Sequence, residues 1–504
     1  MSTVEKDTVA HREHAVEKRH TASPSEDYVI DKKAERRLLL KLDLAILPMT
    51  VLMYLSANLD RGNIGNARLQ GLQVQLLDNS DQKYSVVLLT FYVTYMLGSI
   101  PGTLLSKAVS PNYALGAGCL IWYEAIDHWP LPGLTIIRAI AASAMAGCHS
   151  YGAIIVCRLF IGLGESIFGQ AVVLHYSLWY KKDEIGRRLA AFIGAGVLAG
   201  AFGGLIAYGV QHIKGSIATW RILFLIEGCP SILLGICVVL FLPSRPDRSK
   251  YLNEAERELE LARLRSQNLD EGDNGIDWNG VKRAFTDWKS YVVTFIYSCM
   301  QLTLSSLSGF FPTIIKSLGY TNAQAQLYTV PPYAVGFVFM IIVNIFSDRL
   351  RLRGPFIVLV FCINILGQAL LIGVVDNQHV RYFACFCIVI GGYCTIPLIQ
   401  SWVSNNTGSQ SQRAVHLGFL NSFANWAALT SPFIFPTAQA PTWHLGFGLN
   451  LGFSCAAVVV TALMMVYYSL ENKRRDRIEG EVVPGQKVEQ ARLHDLAPGF
   501  RYTM

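Results

Sequence analysis

Residues 190–209 read AAFIGAGVLAGAFGGLIAYG, a run of twenty residues without a charged side chain. A helix rises about 1.5 Å per residue, so a helical run of this length matches the roughly 30 Å hydrocarbon core of a bilayer. The run is too long and too uniformly apolar for the alternating strands of an outer-membrane barrel. Gly196, Gly200 and Gly204 recur at four-residue steps, which lets a neighbouring helix approach closely in lipid. We expect these glycines to serve helix packing rather than ligand binding.

Runs of similar character recur along the whole chain of 504 residues. The sequence is 52% hydrophobic and only 16% charged, whereas soluble proteins carry roughly a quarter charged residues. The apolar segments centre on Leu52, Tyr95, Cys119 or Met145, Gly162, Gly200, Leu233, Leu302, Gly336, Leu366, Val389, Trp426 and Val458. The pattern predicts an all-α polytopic membrane protein with twelve transmembrane helices in two six-helix halves.

Polar stretches divide the chain into five regions. We expect a cytosolic N-terminal tail at 1–41, a first bundle at 42–243, a central cytosolic loop at 244–290, a second bundle at 291–470 and a cytosolic C-terminal tail at 471–504. Within the central loop, Asn253 can cap a helix with Glu256 at its third position.

Cationic clusters beside alternate apolar segments predict the orientation. They lie at 181–188, 347–353 and 471–477, and the positive-inside rule assigns them and both termini to the cytosol. No apolar core follows the initiator Met closely enough for a cleaved signal, and the plasma membrane is the expected location. The net charge of +7 is explained by these clusters, so we do not expect a nucleic-acid partner. The 11 Cys lie almost wholly in apolar runs, which indicates neither a disulfide framework, a metal site nor a cofactor.

Ionisable residues within membrane segments are functional candidates because they are costly to insert. Arg158 and Glu165 lie seven residues apart on the fourth segment and therefore share one helical face. They could form a titratable carboxylate beside a cation that holds an anionic substrate. Equally, they could form a buried ion pair that fixes helix packing.

Other polar residues leave similar alternatives open. Asp60 and Arg61 close the first segment and fit an interfacial pair better than a substrate path. Gln301 on the seventh segment, and Asn421 and Asn425 on the eleventh, could line a cavity or simply bond neighbouring helices.

Four phrases together carry a family resemblance. They are LDRGNIGNARLQGL at 59–72, CRLFIGLGESIFGQAVVLHYSLWY at 157–180, TWRILFLIEGCPSILLG at 219–235 and WVSNNTGSQSQRA at 402–414. With six plus six helices and a long central loop, they resemble the major facilitator superfamily. More narrowly, the chain is similar to the fungal allantoate-permease branch of its anion:cation symporters, over roughly residues 35–477.

The resemblance implies proton-coupled import of a small organic monoanion such as allantoate, nicotinate, pantothenate or a related vitamin, by a monomer that performs no chemistry. It places Arg61 and Arg158 where relatives carry transport arginines, and Glu165 where they carry a proton-coupling carboxylate. Asp348 and Arg349 in SDRLRLRG are the matching gating residues. The loop LLSKAVSPNY lacks the family's usual acidic residue, so the resemblance does not identify gating contacts in the first half. The seventh segment lacks an arginine that some dicarboxylate carriers use, so a monoanion is favoured.

Two other functions fit the same fold. A proton-antiport efflux carrier for drugs or secondary metabolites would use the same architecture, because the direction of transport cannot be read from sequence. A nutrient sensor without transport is a second alternative, although such sensors tend to carry long cytosolic extensions. An integral-membrane enzyme is disfavoured, since no H-E-x-x-H or G-x-S-x-G motif is present.

Residues 123–138, YEAIDHWPLPGLTIIR, interrupt the third segment with charges and two prolines. Removing them joins LGAGCLIW to AIAASAMAGC in one continuous apolar run. Back-translation of Trp122 to Glu124 can give GGTATGA, Leu134-Thr135 can give CTGAC and Arg138 can supply AG, which resemble a fungal intron's donor, branch and acceptor. We therefore favour a retained intron over a genuine insertion. In a folded chain, the segment should form an irregular excursion, because central Asp and Arg cost roughly 2.5–3.5 kcal/mol each in a membrane helix.

A chain lacking residues 123–138 should reach the plasma membrane in larger amounts than the full chain, because its third segment can span without buried charges. Quantitative surface labelling of the two forms checks this expectation. Equal or greater surface amount and transport by the full chain, or these codons in the mature message, would show that the segment is a genuine part of the protein.

Overall fold

The computed structural model describes residues 31–108, 138–243, 246, 249, 251–271, 278–408, 410–480 and 494–504. Within these ranges the chain is mostly helical and contains no strand, as predicted. The helices are α1 (Lys32–Leu69), α2 (Leu72–Leu76), α3 (Asp81–Ala108), α4 (Tyr151–Trp179), α5 (Lys182–Gln211), α6 (Thr219–Phe241), α7 (Glu254–Glu271), α8 (Trp278–Thr286), α9 (Trp288–Lys316), α10 (Asn322–Leu327), α11 (Val330–Leu350), α12 (Gly354–Gly373), α13 (Gln378–Asn405), α14 (Gln410–Phe423), α15 (Asn425–Ala428) and α16 (His444–Glu479). Residues 138–144 are also helical and lead into a 3-10 turn, Met145–Gly147.

Eight helical stretches among the described residues are long and apolar enough to cross a membrane. All but one of the predicted segment centres lie on described helices. The exception is the third segment, for which Cys119 lies outside the described residues and Met145 lies in the 3-10 turn. Residues 123–137 of the anomalous segment also lie outside the described ranges.

Helix α1 is longer than the sequence suggested. An end near Asp60 and Arg61 was expected, and that prediction is wrong because α1 runs on to Leu69. Beyond this point Arg68 is paired inside the fold, because it donates from Nε to Gln73 Oε1 at 2.6 Å and from Nη2 to Asp81 Oδ1 at 2.7 Å. The helix ends before Gly71, whose φ of +101° is the left-handed conformation that glycine adopts without strain.

The two ends of the bundle carry different residues. We call the end with residues 181–188 and 347–353 the basic face, and the end with residues 66–85 and 309–329 the opposite face. The first half of the bundle comprises α1 to α6 and the second half α9 to α16. Helix α5 packs against α10 and α11, α1 against α9, and α3 against α14, so several elements of each half contact the other half.

Hydrogen bonds join the two halves at the opposite face. Thr437 of the second half donates from its backbone N–H, at 2.9 Å, and from its hydroxyl to the Asp81 carboxylate of the first half. In four further bonds a side chain of one half donates to a backbone carbonyl of the other. They run from Tyr84 Oη to Gly309 at 2.8 Å, Ser85 Oγ to Pro432 at 2.6 Å, Asn322 Nδ2 to Leu69 at 3.0 Å and Gln326 Nε2 to Asn66 at 3.2 Å. The opposite face is therefore closed.

At the basic face, helix α7 of the central loop is bound to the first half. Arg263, fully buried, donates to Glu184 Oε1 at 2.7 Å and to Glu35 Oε1 at 2.9 Å. Helix α7 begins at Glu254, and the Glu256 half of the predicted capping box is present because Asn253 N–H donates to Glu256 Oε2 at 3.0 Å. A buried arginine with two carboxylates holds its position well, so α7 moves with the first half.

Glycines on α5 permit the close contact between the halves. A Cβ built on Gly204 would lie 2.7 Å from the carbonyl oxygen of Gln326 and would also clash with Thr329 Oγ1. A Cβ on Gly200 would lie 2.6 Å from the ring of Tyr333. The packing role expected for these two glycines is therefore a packing of one half against the other. Gly196 and Gly200 also line the central cavity described below.

Gly204→Ala should disfavour closure of the opposite face, because the new methyl group meets the Gln326 backbone, and overpacking costs about 1–3 kcal/mol. Spin labels at positions 74 and 321, both exposed at this face but in different halves, should move apart on average in the purified variant. Gly209→Ala on the same helix is the matched control, since its Cβ would meet nothing within 4 Å. Identical label distances in both variants would contradict the expectation.

Candidate functional site

A cavity of about 770 Å³ lies between the two halves. Its wall is formed by residues from α1, α3, α4 and α5 of the first half and from α9, α11, α13, α14 and α15 of the second. It extends to Gly186, Asp348, Arg353 and Asn405 at the basic face. Since the opposite face is closed by hydrogen bonds, the cavity is open towards the basic face.

An ion pair between Arg61 and Glu165 lies in the cavity wall. Arg61 Nη2 is 2.7 Å from Glu165 Oε1, and the two side chains are 25% and 5% exposed. Glu165 is fourteen residues from either end of α4, so the pair lies halfway through the bundle. The Arg61 guanidinium is also 5.2 Å and 5.1 Å from the ring centres of Phe91 and Tyr95. The interfacial position expected for Arg61 is wrong, because α1 continues past it and turns its side chain into the cavity.

Each partner of this pair keeps an unsatisfied polar atom. The Nε of Arg61 and the Oε2 of Glu165 are buried and have no hydrogen-bond partner among the described residues. Unsatisfied buried polar atoms are rare and costly in folded proteins. A ligand with an acceptor oxygen could accept from Arg61 Nε. If Glu165 carried a proton on Oε2, this group could donate to an acceptor atom of a ligand.

Arg158 does not line the cavity. Its side chain is 1% exposed, and Nε and Nη2 have no hydrogen-bond partner among the described residues. Arg158 and Glu165 share a face of α4, as predicted, but two turns separate them by about 10.5 Å along the helix axis. The carboxylate of Glu165 takes Arg61 on α1 instead, so the expected Arg158–Glu165 pair is not formed.

Asp60 lies on the side of α1 that faces away from the cavity. Its carboxylate forms a buried ion pair with Arg138, whose Nη2 also donates to Ser56 Oγ at 3.1 Å. Ser56 in turn bonds Ser231 of α6 at 2.5 Å between the hydroxyl oxygens. Arg138 is the one described residue of the anomalous segment, and it is helical and 2% exposed. At this position the segment is a packed part of the helix and not an excursion, and removal of residues 123–138 would take away the buried partner of Asp60, which opposes the gain in surface amount expected from the sequence.

The amide residues Gln301, Asn421 and Asn425 all line the cavity, and they also take part in hydrogen bonds between neighbouring helices. Gln301 Nε2 donates to Asn425 Oδ1 at 3.1 Å, and Tyr297 Oη donates to Asn421 Oδ1 at 3.3 Å. These residues therefore do both things that the sequence analysis left as alternatives: they line a cavity and they bond neighbouring helices. The resulting network presents neutral donors and acceptors on the wall across the cavity from the first half.

Tyrosines form a part of the wall that the sequence analysis missed. They come from both halves: Tyr54, Tyr92, Tyr95, Tyr297, Tyr333 and Tyr393. A single tyrosine in an apolar segment is equally typical of a membrane interface or a core, so sequence alone gives no signal for a shared cavity. Their rings and hydroxyls make the wall suitable for a small, partly apolar ligand.

At the mouth on the basic face, Asp348 forms an ion pair with Arg353 and lines the cavity. Arg353 Nη1 also donates to Ser347 Oγ at 3.0 Å. Arg349, the other residue expected to gate, is exposed and does not contribute to the cavity wall. The charged pair at the mouth is therefore Asp348 with Arg353.

Comparisons with known proteins agree with this architecture. The family model described as Major Facilitator Superfamily matches residues 45–432. An uncharacterised transporter of Schizosaccharomyces pombe is 31% identical over 498 residues, covering 98% of each chain. The high-affinity nicotinic acid transporter of Saccharomyces cerevisiae is 31% identical over 475 residues, covering 93% of this chain and 85% of that protein. The crystal structure of a D-xylose-proton symporter superposes with a TM-score of 0.59 at 16% identity, covering 84% of this chain and 97% of that one. The expected fold is confirmed.

Arg158→Lys should lower the stability of the protein, because Lys lacks the planar guanidinium and leaves a buried site poorly filled. We expect a loss of roughly 0.5–3 kcal/mol, the usual range for a destabilising single substitution. The melting temperature of purified protein and its amount in the membrane measure this. Arg61→Lys is the matched comparison, since it keeps a cation beside Glu165 in a partly exposed position, and it should melt closer to the parent. Normal melting of Arg158→Lys with altered ligand binding would place Arg158 in the site.

Proposed function

Since the chain belongs to the major facilitator superfamily, we propose that this transporter imports a small organic monoanion together with a proton. The observation that carries the proposal is the Arg61–Glu165 ion pair in the wall of the central cavity, halfway through the bundle. Arginine binds a carboxylate through a planar fork of N–H donors. Glu165 is the titratable group beside it.

Charge balance couples the two ligands in this proposal. With Glu165 ionised, Arg61 and Glu165 are neutral as a pair, and a carboxylate added alone would leave a net negative charge in a poorly solvated site. A proton on Glu165 frees Arg61 for the substrate carboxylate and restores neutrality. Substrate and proton are therefore expected to bind together and to leave together. A dianion would leave one charge uncompensated, which favours a monoanion.

The tyrosine-lined wall and the amide network suggest the kind of monoanion. Flat or partly apolar carboxylates can pack against tyrosine rings while their polar atoms meet Gln301, Asn421 and Asn425. A nicotinate-like or pantothenate-like acid fits this description, and so does allantoate through its amide groups. The nicotinic acid transporter among the relatives supports this class, and we assign the chain to the allantoate-permease-like branch on the phrases quoted above.

The cation clusters support a proposed orientation. We assign the basic face to the cytosol by the positive-inside rule, and this makes the present conformation open to the cytosol. Both termini are then cytosolic. The proposed carrier acts as a monomer in the plasma membrane, with Asp348 and Arg353 as the charged pair of its cytosolic mouth.

Uptake of a panel of labelled organic acids by expressing cells, with and without a proton gradient, tests the proposal. Accumulation of a monocarboxylate that collapses when the gradient is removed is the expected result. An efflux carrier would instead lower the cellular content of a preloaded compound when the outside is acidic. Binding and signalling without flux of any tested acid would favour the sensor.

Glu165→Gln should abolish proton-driven accumulation while leaving the protein in the membrane, because the amide cannot exchange a proton but is close in shape to the protonated acid. Exchange of labelled for unlabelled substrate in the absence of a gradient should survive. Glu227→Gln is the matched control, since Glu227 is equally buried on α6 but does not line the cavity. Uphill accumulation that is unimpaired in Glu165→Gln would remove Glu165 from the coupling.

A further inference from the structure

The segment 494–504, HDLAPGFRYTM, is docked on the basic face of the second half. Four of its side chains are almost fully buried: Asp495, Ala497, Phe500 and Tyr502 are 0%, 0%, 5% and 4% exposed. Thirteen residues, 481–493, separate it from Gly480, the C-cap of α16. Its hydrogen bonds are made to elements of the second half and to α8, so it moves with that half.

Asp495 is the centre of a charged cluster. Its carboxylate accepts from Lys289 Nζ at 2.6 Å, from Tyr502 Oη at 2.9 Å and from Arg283 Nε at 3.1 Å. Burial opposes ionisation of this carboxyl, but Lys289 and Arg283 outweigh it and hold the pKa of Asp495 well below its usual range. A lowered pKa means that the charged contact is complete at neutral pH and is lost only when strong acid protonates Asp495.

Arg475 of α16 fixes the backbone of the segment at two points. Its Nη1 donates to the carbonyl oxygens of Asp495 at 2.9 Å and of Phe500 at 3.1 Å. The ring of Tyr502 stacks on Tyr468 with the centroids 4.7 Å apart and the planes at 13°. These contacts give the segment one defined conformation on the helix ends.

The end of the segment reaches the mouth of the cavity. The backbone N–H of Arg353 donates to the Met504 carbonyl at 2.6 Å. Thr503 N–H donates to Asn406 Oδ1 at 2.7 Å, and Trp402 Nε1 donates to the Thr503 carbonyl at 2.9 Å. Arg353 carries the ion pair with Asp348, and Asn405 next to Asn406 lines the mouth. The segment thus bonds directly to the backbone that presents the charged pair.

We propose that the 494–504 segment is a positioning element for the mouth of the cavity on the basic face. By holding Arg353 and the end of α13, it sets the surface against which residues 185–189 of the first half must close in the other conformation of the cycle. This role concerns the gate and not the ligand, so it does not depend on which anion is carried or on the direction of transport.

The test measures opening of the mouth without any substrate. Purified full-length protein carries a reporter cysteine in place of Ser404, which lines the cavity near the mouth, and the initial rate of its reaction with a maleimide is followed against the parent without the reporter. Deletion of residues 494–504 should raise this rate by roughly threefold or more, because the mouth closes less often. Tyr502→Phe, which removes one hydroxyl from the cluster, should act in the same direction more weakly. Leu496→Ala, at an exposed side chain of the same segment, should leave the rate unchanged.

A second arm separates positioning from general stability. Arg353→Gln should raise the labelling rate by itself, and adding the deletion to it should raise the rate by a smaller factor than the deletion does in the parent, since the segment acts in part through the Arg353–Asp348 pair. An unchanged rate in the folded deletion variant would overturn the proposal. Additive effects of the deletion and Arg353→Gln would also overturn it. The same holds if the deletion lowers the yield while the surviving molecules label at the normal rate. Either result would make the segment only a stabilising contact. Failure to find a transported monoanion would leave these labelling results intact, so the two proposals fail separately.

Discussion

The placement of one arginine and one glutamate in the middle of an apolar bundle constrains the rest of the structure. Charges at that depth are tolerated when they are paired and shielded from lipid, and Arg61 and Glu165 achieve this by bringing α1 and α4 together at a cavity wall. Removing Arg61 would leave the buried carboxylate of Glu165 without its partner, whereas removing the charge of Glu165 would leave Arg61 facing the cavity, where its side chain is 25% exposed. The pair is itself electrically neutral, so a charged group that binds beside it must be compensated.

The closed opposite face and the open cavity depend on the same helices. Helices α1, α5 and α9 line the cavity in their middle portions and meet the other half at their ends. At the opposite face, small residues such as Gly204 allow the backbones of the two halves to meet. Nearer the middle of the bundle, larger side chains such as Tyr54 and Tyr297 face the cavity. Among the described residues at the opposite face, four bonds between the halves are donated to backbone carbonyls and two to the carboxylate of Asp81, which keeps Arg68 of its own half as a partner. Such a contact can be exchanged for water without leaving a buried charge, which suits a surface that must open and close.

The sequence predicted the helices well because their apolar length is a property of each segment alone. It also predicted Glu165, Gln301, Asn421 and Asn425 as polar positions in the bundle, and these reach the cavity. It failed where the answer depends on a partner distant in the chain. The partner of Glu165 is Arg61, 104 residues away, and helical periodicity on α4 could only suggest Arg158. The end of α1 was misjudged for the same reason, since Asp60 and Arg68 are neutralised by residues that the local sequence does not contain.

The anchoring of α7 and α8 limits how widely the basic face can open. Arg263 binds α7 to Glu35 and Glu184 of the first half, whereas α8 packs on α14 and its Arg283 bonds Asp495 on the second half. Only the six residues 272–277 join these two anchored helices. A chain spans at most about 3.6 Å per residue, so Glu271 and Trp278 cannot separate by more than about 25 Å while both anchors hold. The covalent length of the central loop therefore sets an upper limit on how far the two halves can separate at the basic face. This limit is additional to the one set by packing.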